Sequence, residues 1–152
     1  MAIVGDFQKL EQLRSSLRHA GSPSFRAQLA ARLGREALKL VADGFRKQED
    51  PYGHAWAPLK AQRRRQGPKK RGDRIGVNTG AMRNGFYTRA DASGFRLGNG
   101  RGYSLFFNDG TRRGLVPRRM VPQGELGQLW ATAFRRESEK ALRETFAGTG
   151  AL

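Results

Sequence analysis

The sequence contains no cysteine and only two histidines, His19 and His54. The first absence excludes disulfides, thiol nucleophiles and thiolate-bound metals, and it fits a reducing compartment. The second leaves too few imidazoles for a usual zinc site, and neither histidine has metalloprotease spacing. Acid is also scarce, with 13 Asp and Glu against 29 Lys and Arg, for a net charge of +16. A metal-dependent nuclease needs two or three gathered carboxylates, whereas here Glu49-Asp50 is the only adjacent pair. Hydrophobic residues make up 38% of the chain, below the roughly 45–50% of average globular composition, although that average also counts glycine. No apolar run approaches the roughly 20 residues that cross a bilayer. The opening Met1-Ala2-Ile3-Val4-Gly5-Asp6 has neither a basic leader nor a long apolar stretch, so a soluble, non-exported, membrane-free protein is expected.

What remains is a chain of 152 residues, the commonest size for one domain and long enough to bury roughly two-thirds of its unfolded surface. Its charge is concentrated. Residues 60–74 (KAQRRRQGPKKRGDR) carry +7 and residues 111–119 carry +4, so 11 of the 16 net charges fall in two short stretches. Both contain Gly and Pro and little that fills a core, and they read as loops that display charge. Blocks of like charge are often only solvated and unfolded. They also release counterions when placed against a polyanion, which gives affinity without sequence preference. Aromatics for base stacking are absent from 60–74, which argues against single-strand recognition and leaves duplex backbone or an acidic protein surface.

The periodicities give the architecture. After Asp6, a candidate N-cap, Phe7, Leu10, Leu13 and Leu17 share one helical face, and Gly21-Ser22-Pro23 ends that helix. Ser24 is the expected cap of a longer helix with Phe25, Leu29, Leu33, Leu40 and Phe45 on one stripe, stopped by Asp50-Pro51-Tyr52-Gly53. Arg83–Arg89 and Phe95-Arg96-Leu97 flank Asp91-Ala92-Ser93-Gly94 as a β-hairpin. Tyr103–Asn108, closed by Asp109-Gly110, fits either a strand or a short helix. From Gln123 the helical period returns, with Leu126, Leu129, Trp130, Ala133, Phe134, Ala141, Leu142 and Phe146 on one broad face. The expected fold is α+β, a small antiparallel sheet with long N-terminal and C-terminal helices packed on it and an extended basic loop. It is a single domain over 1–152: an N-terminal helix and linker (1–22), a long helix with a Trp-Pro motif (24–59), a basic loop (60–76), strands and loops (77–122) and a C-terminal helix (123–147).

Catalytic chemistry is hard to assemble from these residues. His19 and His54 fit surface or capping roles better than that of a base. Gly98-Asn99-Gly100-Arg101-Gly102 lacks the Lys-Ser/Thr ending of a P-loop and reads as a hairpin or bulge. No catalytic residue, metal site or cofactor is expected. Trp56-Ala57-Pro58-Leu59 is more specific, because a Trp beside a Pro after a breaker cluster buries a large ring under the helix end and anchors the basic loop.

Five features in order resemble the phage virion morphogenesis, or tail completion, family of Mu-like and P2-like phages, and more broadly the small neck and tail-terminator proteins. They are the long helix ending in Asp50-Pro51-Tyr52-Gly53; Trp56-Ala57-Pro58-Leu59; the basic stretch 60–74; Asn78-Thr79-Gly80-Ala81-Met82-Arg83-Asn84; and Tyr103–Gly110 followed by Pro117-Arg118-Arg119-Met120. The family patterns are D-P-x-G-x-x-W-x-P-L, T-G-x-L-x-x-S, and Y-A-x-x-x-x-x-G ahead of P-x-R-x-F. Met82 stands for the usual Leu, Gly85 for Ser, Ser104 for Ala, and Met120 near the usual aromatic. The resemblance spans about residues 25–146, and its best pieces are the Trp56 motif and Thr79-Gly80.

The resemblance implies a structural virion protein of the head–tail connector, assembled in the host cytoplasm. It would form a homo-oligomeric ring, expected to be a hexamer, that caps the tail tube and joins it to the head through neighbouring neck or connector proteins. No enzyme activity or cofactor is implied. Trp56, Pro58, Leu59, Thr79 and Gly80 are the expected structural motif. Arg63, Arg64, Arg65, Lys69, Lys70, Arg71, Arg74, Arg112, Arg113, Arg118 and Arg119 are the expected contacts to a protein partner or to packaged double-stranded DNA in the lumen. The alternative from charge alone is a sequence-nonspecific duplex nucleic-acid-binding protein.

Overall fold

The computed structural model describes residues 7–58, 75–77 and 79–147. Helix α1 spans Phe7–Ala20 and α2 spans Pro23–Lys47. A four-residue helix α3 (Ala81–Asn84) leads into β1 (Phe86–Asp91) and β2 (Gly94–Asn99); α4 (Tyr103–Asp109) and α5 (Gln128–Ala147) follow. The fold is α+β, with two strands in its antiparallel sheet.

The long helix is capped two residues earlier than its apolar stripe suggests. Ser22, not Ser24, is the N-cap, its Oγ accepting from the Phe25 N–H at 3.2 Å, with Pro23 in the first turn where a missing N–H costs nothing. Phe25, Ala30, Ala37, Leu40, Val41 and Phe45 are buried along it. Gln48 ends it in the left-handed conformation (φ 63°), its N–H donating to the Gly44 carbonyl.

The hairpin lies across α2. Its register runs from Phe86 opposite Asn99 to Asp91 opposite Gly94, around a tight turn in which the Asp91 carboxylate accepts from the Ser93 N–H and hydroxyl. Phe86, Thr88, Phe95 and Leu97 alternate onto the inner face, while Tyr87, Arg89 and Arg96 face out. Gly34 permits the close crossing, since a Cβ there would sit 3.1 Å from the Thr88 hydroxyl. Residues 83 and 84, expected in the first strand, belong to α3. Helix α5 packs mainly on α2 and reaches the sheet through Phe134, which meets Phe95 edge-on at 5.8 Å.

One core joins these layers: Ala37, Leu40, Val41, Phe45, Trp56, Ile75, Met82, Met120, Trp130 and Ala133. Trp56 is at its centre, edge-on to Phe45 (5.2 Å) and Phe107 (5.6 Å), with its indole N–H donating to the Arg119 carbonyl at 3.0 Å.

The α1 stripe turns outward, and the C-terminal stripe is divided between buried Trp130, Ala133 and Ala141 and exposed leucines. On α1, Leu10, Leu13 and Leu17 are exposed while Ser16 is fully buried against its neighbours, with its hydroxyl on the Gln12 carbonyl. Helix α5 begins at Gln128 rather than 123, and Leu126, Leu129 and Leu142 are exposed. The periodicity places each set on one face; it does not say whether the cover for that face lies in the same chain. The stretch Tyr103–Asn108 is a helix, α4, with Phe107 and Asn108 turned in and Tyr103, Leu105 and Phe106 exposed.

Candidate interaction surface

Asp6, Leu59, Arg63, Arg64, Arg65, Lys69, Lys70, Arg71, Arg74 and Asn78 lie outside the described residues. The two borders of the 59–74 segment, ending at Pro58 and resuming at Ile75, lie inside them, and both are held. At its start, Arg118 donates to the Ala57 carbonyl (Nε, 2.8 Å) and the Pro58 carbonyl (3.1 Å) while lying over the Phe107 ring. At its end, the Gln48 side chain accepts from the Ile75 N–H (2.6 Å) and donates to the Ile75 carbonyl (3.2 Å). Gln48 also receives the Trp56 N–H on its backbone carbonyl at 2.8 Å, so one residue ties both ends to the tip of α2. The glutamine can do this because the left-handed cap turns it out of the helical repeat.

Arg118 is therefore a correction to the sequence expectation. It is 5% exposed, and its guanidinium satisfies backbone carbonyls instead of displaying charge. Its neighbour Arg119 is exposed, as are Arg112 and Arg113. The last two sit on a closed turn in which the Thr111 N–H donates to the Leu115 carbonyl (3.1 Å) and the Gly114 N–H to the Thr111 carbonyl (3.0 Å). Thr79 and Gly80 start α3: the Thr79 hydroxyl accepts from the Ala81 N–H, and Gly80, buried at φ 73°, takes the turn that sends Met82 into the core.

Asn108 is a second polar hub absent from the sequence expectations. Its side-chain carbonyl accepts from the Met120 N–H at 2.8 Å, and its amide donates to Asp109. This pins the 117–121 strip beneath α4. The Asn108-Asp109-Gly110 run gives a sequence signal only of a turn.

A groove of about 410 Å³, lined in part by Met120, opens between the end of α2, the Pro51–Gly53 turn and the start of α5. Leu40, Met120 and Trp130 form its floor; Asp43, Lys47, Glu49 and Asp50 stand around it, and Leu129 is exposed on it. It bears more acid than base in a chain of net charge +16. Elsewhere, carboxylates are drawn into the α2–α5 seam, where Arg32 meets Glu144 (2.6 Å) and Glu137 (3.8 Å) and Glu36 meets Arg136 (3.5 Å). The Arg32 hydrogen bond holds the Glu144 carboxyl below its ordinary range.

Burial alone would raise the Asp50 carboxyl, but the His54 and Tyr52 N–H groups and the His54 ring outweigh it and hold the pKa below the ordinary 3.8. As pH falls, the unfolded chain takes up this proton first. The turn's contribution is complete at neutral pH and is lost as pH falls through the depressed folded value, below about pH 4. Asp50→Asn is expected to flatten that acid limb in urea midpoints measured between about pH 5 and 2.

Among the described residues no group of three or more His, Cys, Asp or Glu is placed to hold a metal ion, and no helix is long and apolar enough to cross a membrane. His54 is exposed and paired with Asp50 at 3.1 Å, and His19 lies edge-on to Phe25. The surface thus offers contact chemistry: basic turns, exposed apolar helix faces and one acid-rimmed groove. A family model described as the phage virion morphogenesis family matches residues 5–125, which include the Trp56 motif, Thr79-Gly80, α4 and the Arg118 strip. No curated protein and no solved structure gives a significant match.

Proposed function

The chain belongs to the phage virion morphogenesis family, a generally structural family of virion components, and from that premise we propose that it works at the head–tail junction as a neck or tail-completion protein. In this role it forms a ring of about six copies that caps the tail tube and joins it to the head, and it performs no catalysis. The observation that carries the reading is the amount of apolar surface left without a cover. Leu10, Leu13, Leu17, Tyr103, Leu105, Phe106, Val116, Leu126, Leu129 and Leu142 are all exposed, on three helices and two connecting strips. Exposed large apolar residues grouped on helix faces mark interaction sites, and neighbouring copies or rings supply a cover.

Basic residues have a place in such a ring. Arg112, Arg113 and Arg119, with the charges of the 60–74 segment, give positive potential toward packaged DNA or an acidic adjoining ring. The same residues support the second reading, a sequence-nonspecific duplex-binding protein.

Light scattering at low and moderate salt, with and without duplex DNA, separates the two. Rings formed without DNA are the expected result. A single copy that associates only with DNA, and releases it as salt rises, would replace the ring reading with the second one. In that case neutralising Arg63, Arg64, Arg65, Lys69, Lys70 and Arg71 would reduce the salt slope.

A further inference from the structure

Two of the exposed apolar patches carry opposite charge. On α4, Leu105 (61% exposed) and Phe106 (55%) stand near the closed turn that carries Arg112 and Arg113. On the groove, Leu129 (55%) stands beside Asp43 and Glu49 over an apolar floor. One patch projects from a helix and is apolar and basic; the other is concave, apolar and acidic.

In the single chain the two do not meet, since no residue of α4 or of the Arg112-Arg113 turn lines the groove. Met120 lines the groove, and its N–H is bonded to Asn108 on the inward side of α4. Around that helix Phe106 lies about 160° from Asn108 and Leu105 about 160° from Phe107, while Leu105 and Asn108 are about 60° apart. Leu105, Phe106 and Leu129 are all exposed, so both faces are uncovered in the single chain.

We propose that α4 and the Arg112-Arg113 turn of one copy dock into the acid-rimmed groove of the next, and that this head-to-tail contact closes the ring. The occupant is a second copy of this chain, selected by apolar contact at Leu105, Phe106 and Leu129 and by pairing of Arg112 and Arg113 with Glu49 and with Asp43, which in the single chain is paired with Arg46 at 2.9 Å and would be shared. A contact between two different patches repeats around an axis, whereas a patch that pairs with itself stops at a dimer. Opposite charge on the two patches also disfavours patch-to-itself pairing. The inference rests on the ring reading and names its interface.

The test uses two full-length variants, each with one face disabled at exposed positions: Leu105→Ser with Phe106→Ser, and Asp43→Lys with Leu129→Ser. Circular dichroism and melting establish that both fold as the wild type does. By light scattering, the wild type assembles into rings, and each variant alone stays at the 16.9 kDa of one copy. An equimolar mixture gives two-copy particles and nothing larger, because one intact projection and one intact groove remain.

Rings from either variant would overturn the contact and leave the ring reading intact. Two monomeric variants that do not pair on mixing would overturn the matching of these two faces. A wild type that stays single at every concentration and never joins tail tubes would remove the ring reading, and the contact with it. If a serine variant fails to fold, the charge pair gives the same decision: Arg112→Glu with Arg113→Glu is expected to weaken assembly at low salt, and adding Asp43→Lys and Glu49→Lys is expected to restore it. No restoration would overturn the pairing.

Discussion

Trp56→Ala is expected to lower the free energy of unfolding by about 3–5 kcal/mol, the loss typical of a large buried aromatic replaced by alanine. The indole is 7% exposed, lies edge-on to Phe45 and Phe107, and donates to the Arg119 carbonyl. Truncation therefore leaves a cavity at the junction of α2, α4 and the 117–121 strip, together with a half-buried acceptor that has lost its donor. Urea denaturation followed by far-ultraviolet circular dichroism measures the loss. A change near zero would mean that the ring carries no packing in the single chain and is an interface residue awaiting a partner. Trp56→Phe, which keeps apolar area and loses the N–H, should recover most of the stability.

The second large effect concerns Arg118. Arg118→Met keeps the length of the side chain and removes donors to the Ala57 and Pro58 carbonyls, at a cost of about 3 kcal/mol for hydrogen bonds to a charged group. Arg112→Ala with Arg113→Ala removes two charges and is expected to change stability by no more than about 0.5 kcal/mol, as exposed substitutions usually do. The contrast is the useful measurement, because these arginines come from one short basic run. If Arg118→Met leaves the denaturation midpoint unchanged, the clamp on the start of the basic segment does not hold.

How far the sequence reveals the fold depends on whether the signal is local. The α2 stripe, the Asp91–Gly94 turn and the breaker at Asp50–Gly53 each depend on neighbours within a few residues, and each is found close to where the pattern puts it. Trp56 as a core anchor follows from residue type and from the turn before it. What the sequence leaves open depends on distant partners. Leu10, Leu13, Leu17, Leu126, Leu129 and Leu142 repeat as core residues do, yet a period records only that a face is apolar. Arg118 is indistinguishable in sequence from Arg112, Arg113 and Arg119; it is buried because two carbonyls more than 55 positions away, at Ala57 and Pro58, need donors. Gln48 and Asn108 join segments through their amide groups, and a single Gln or Asn carries no signal of that. The α4 sequence fits both a strand and a helix because seven residues hold about two helical turns, too few to separate the two periods.

The double hold of Gln48 on Trp56 and Ile75 has a thermodynamic consequence. Because both borders of the 59–74 segment are fastened to one helix end, the frame is insulated from whatever is spliced between them. Lengthening such an insert costs little, about 0.6 kcal/mol for each doubling, since closure entropy grows only logarithmically. A change in the length or charge of the stretch between these borders is therefore expected to leave the stability of the core nearly as it is.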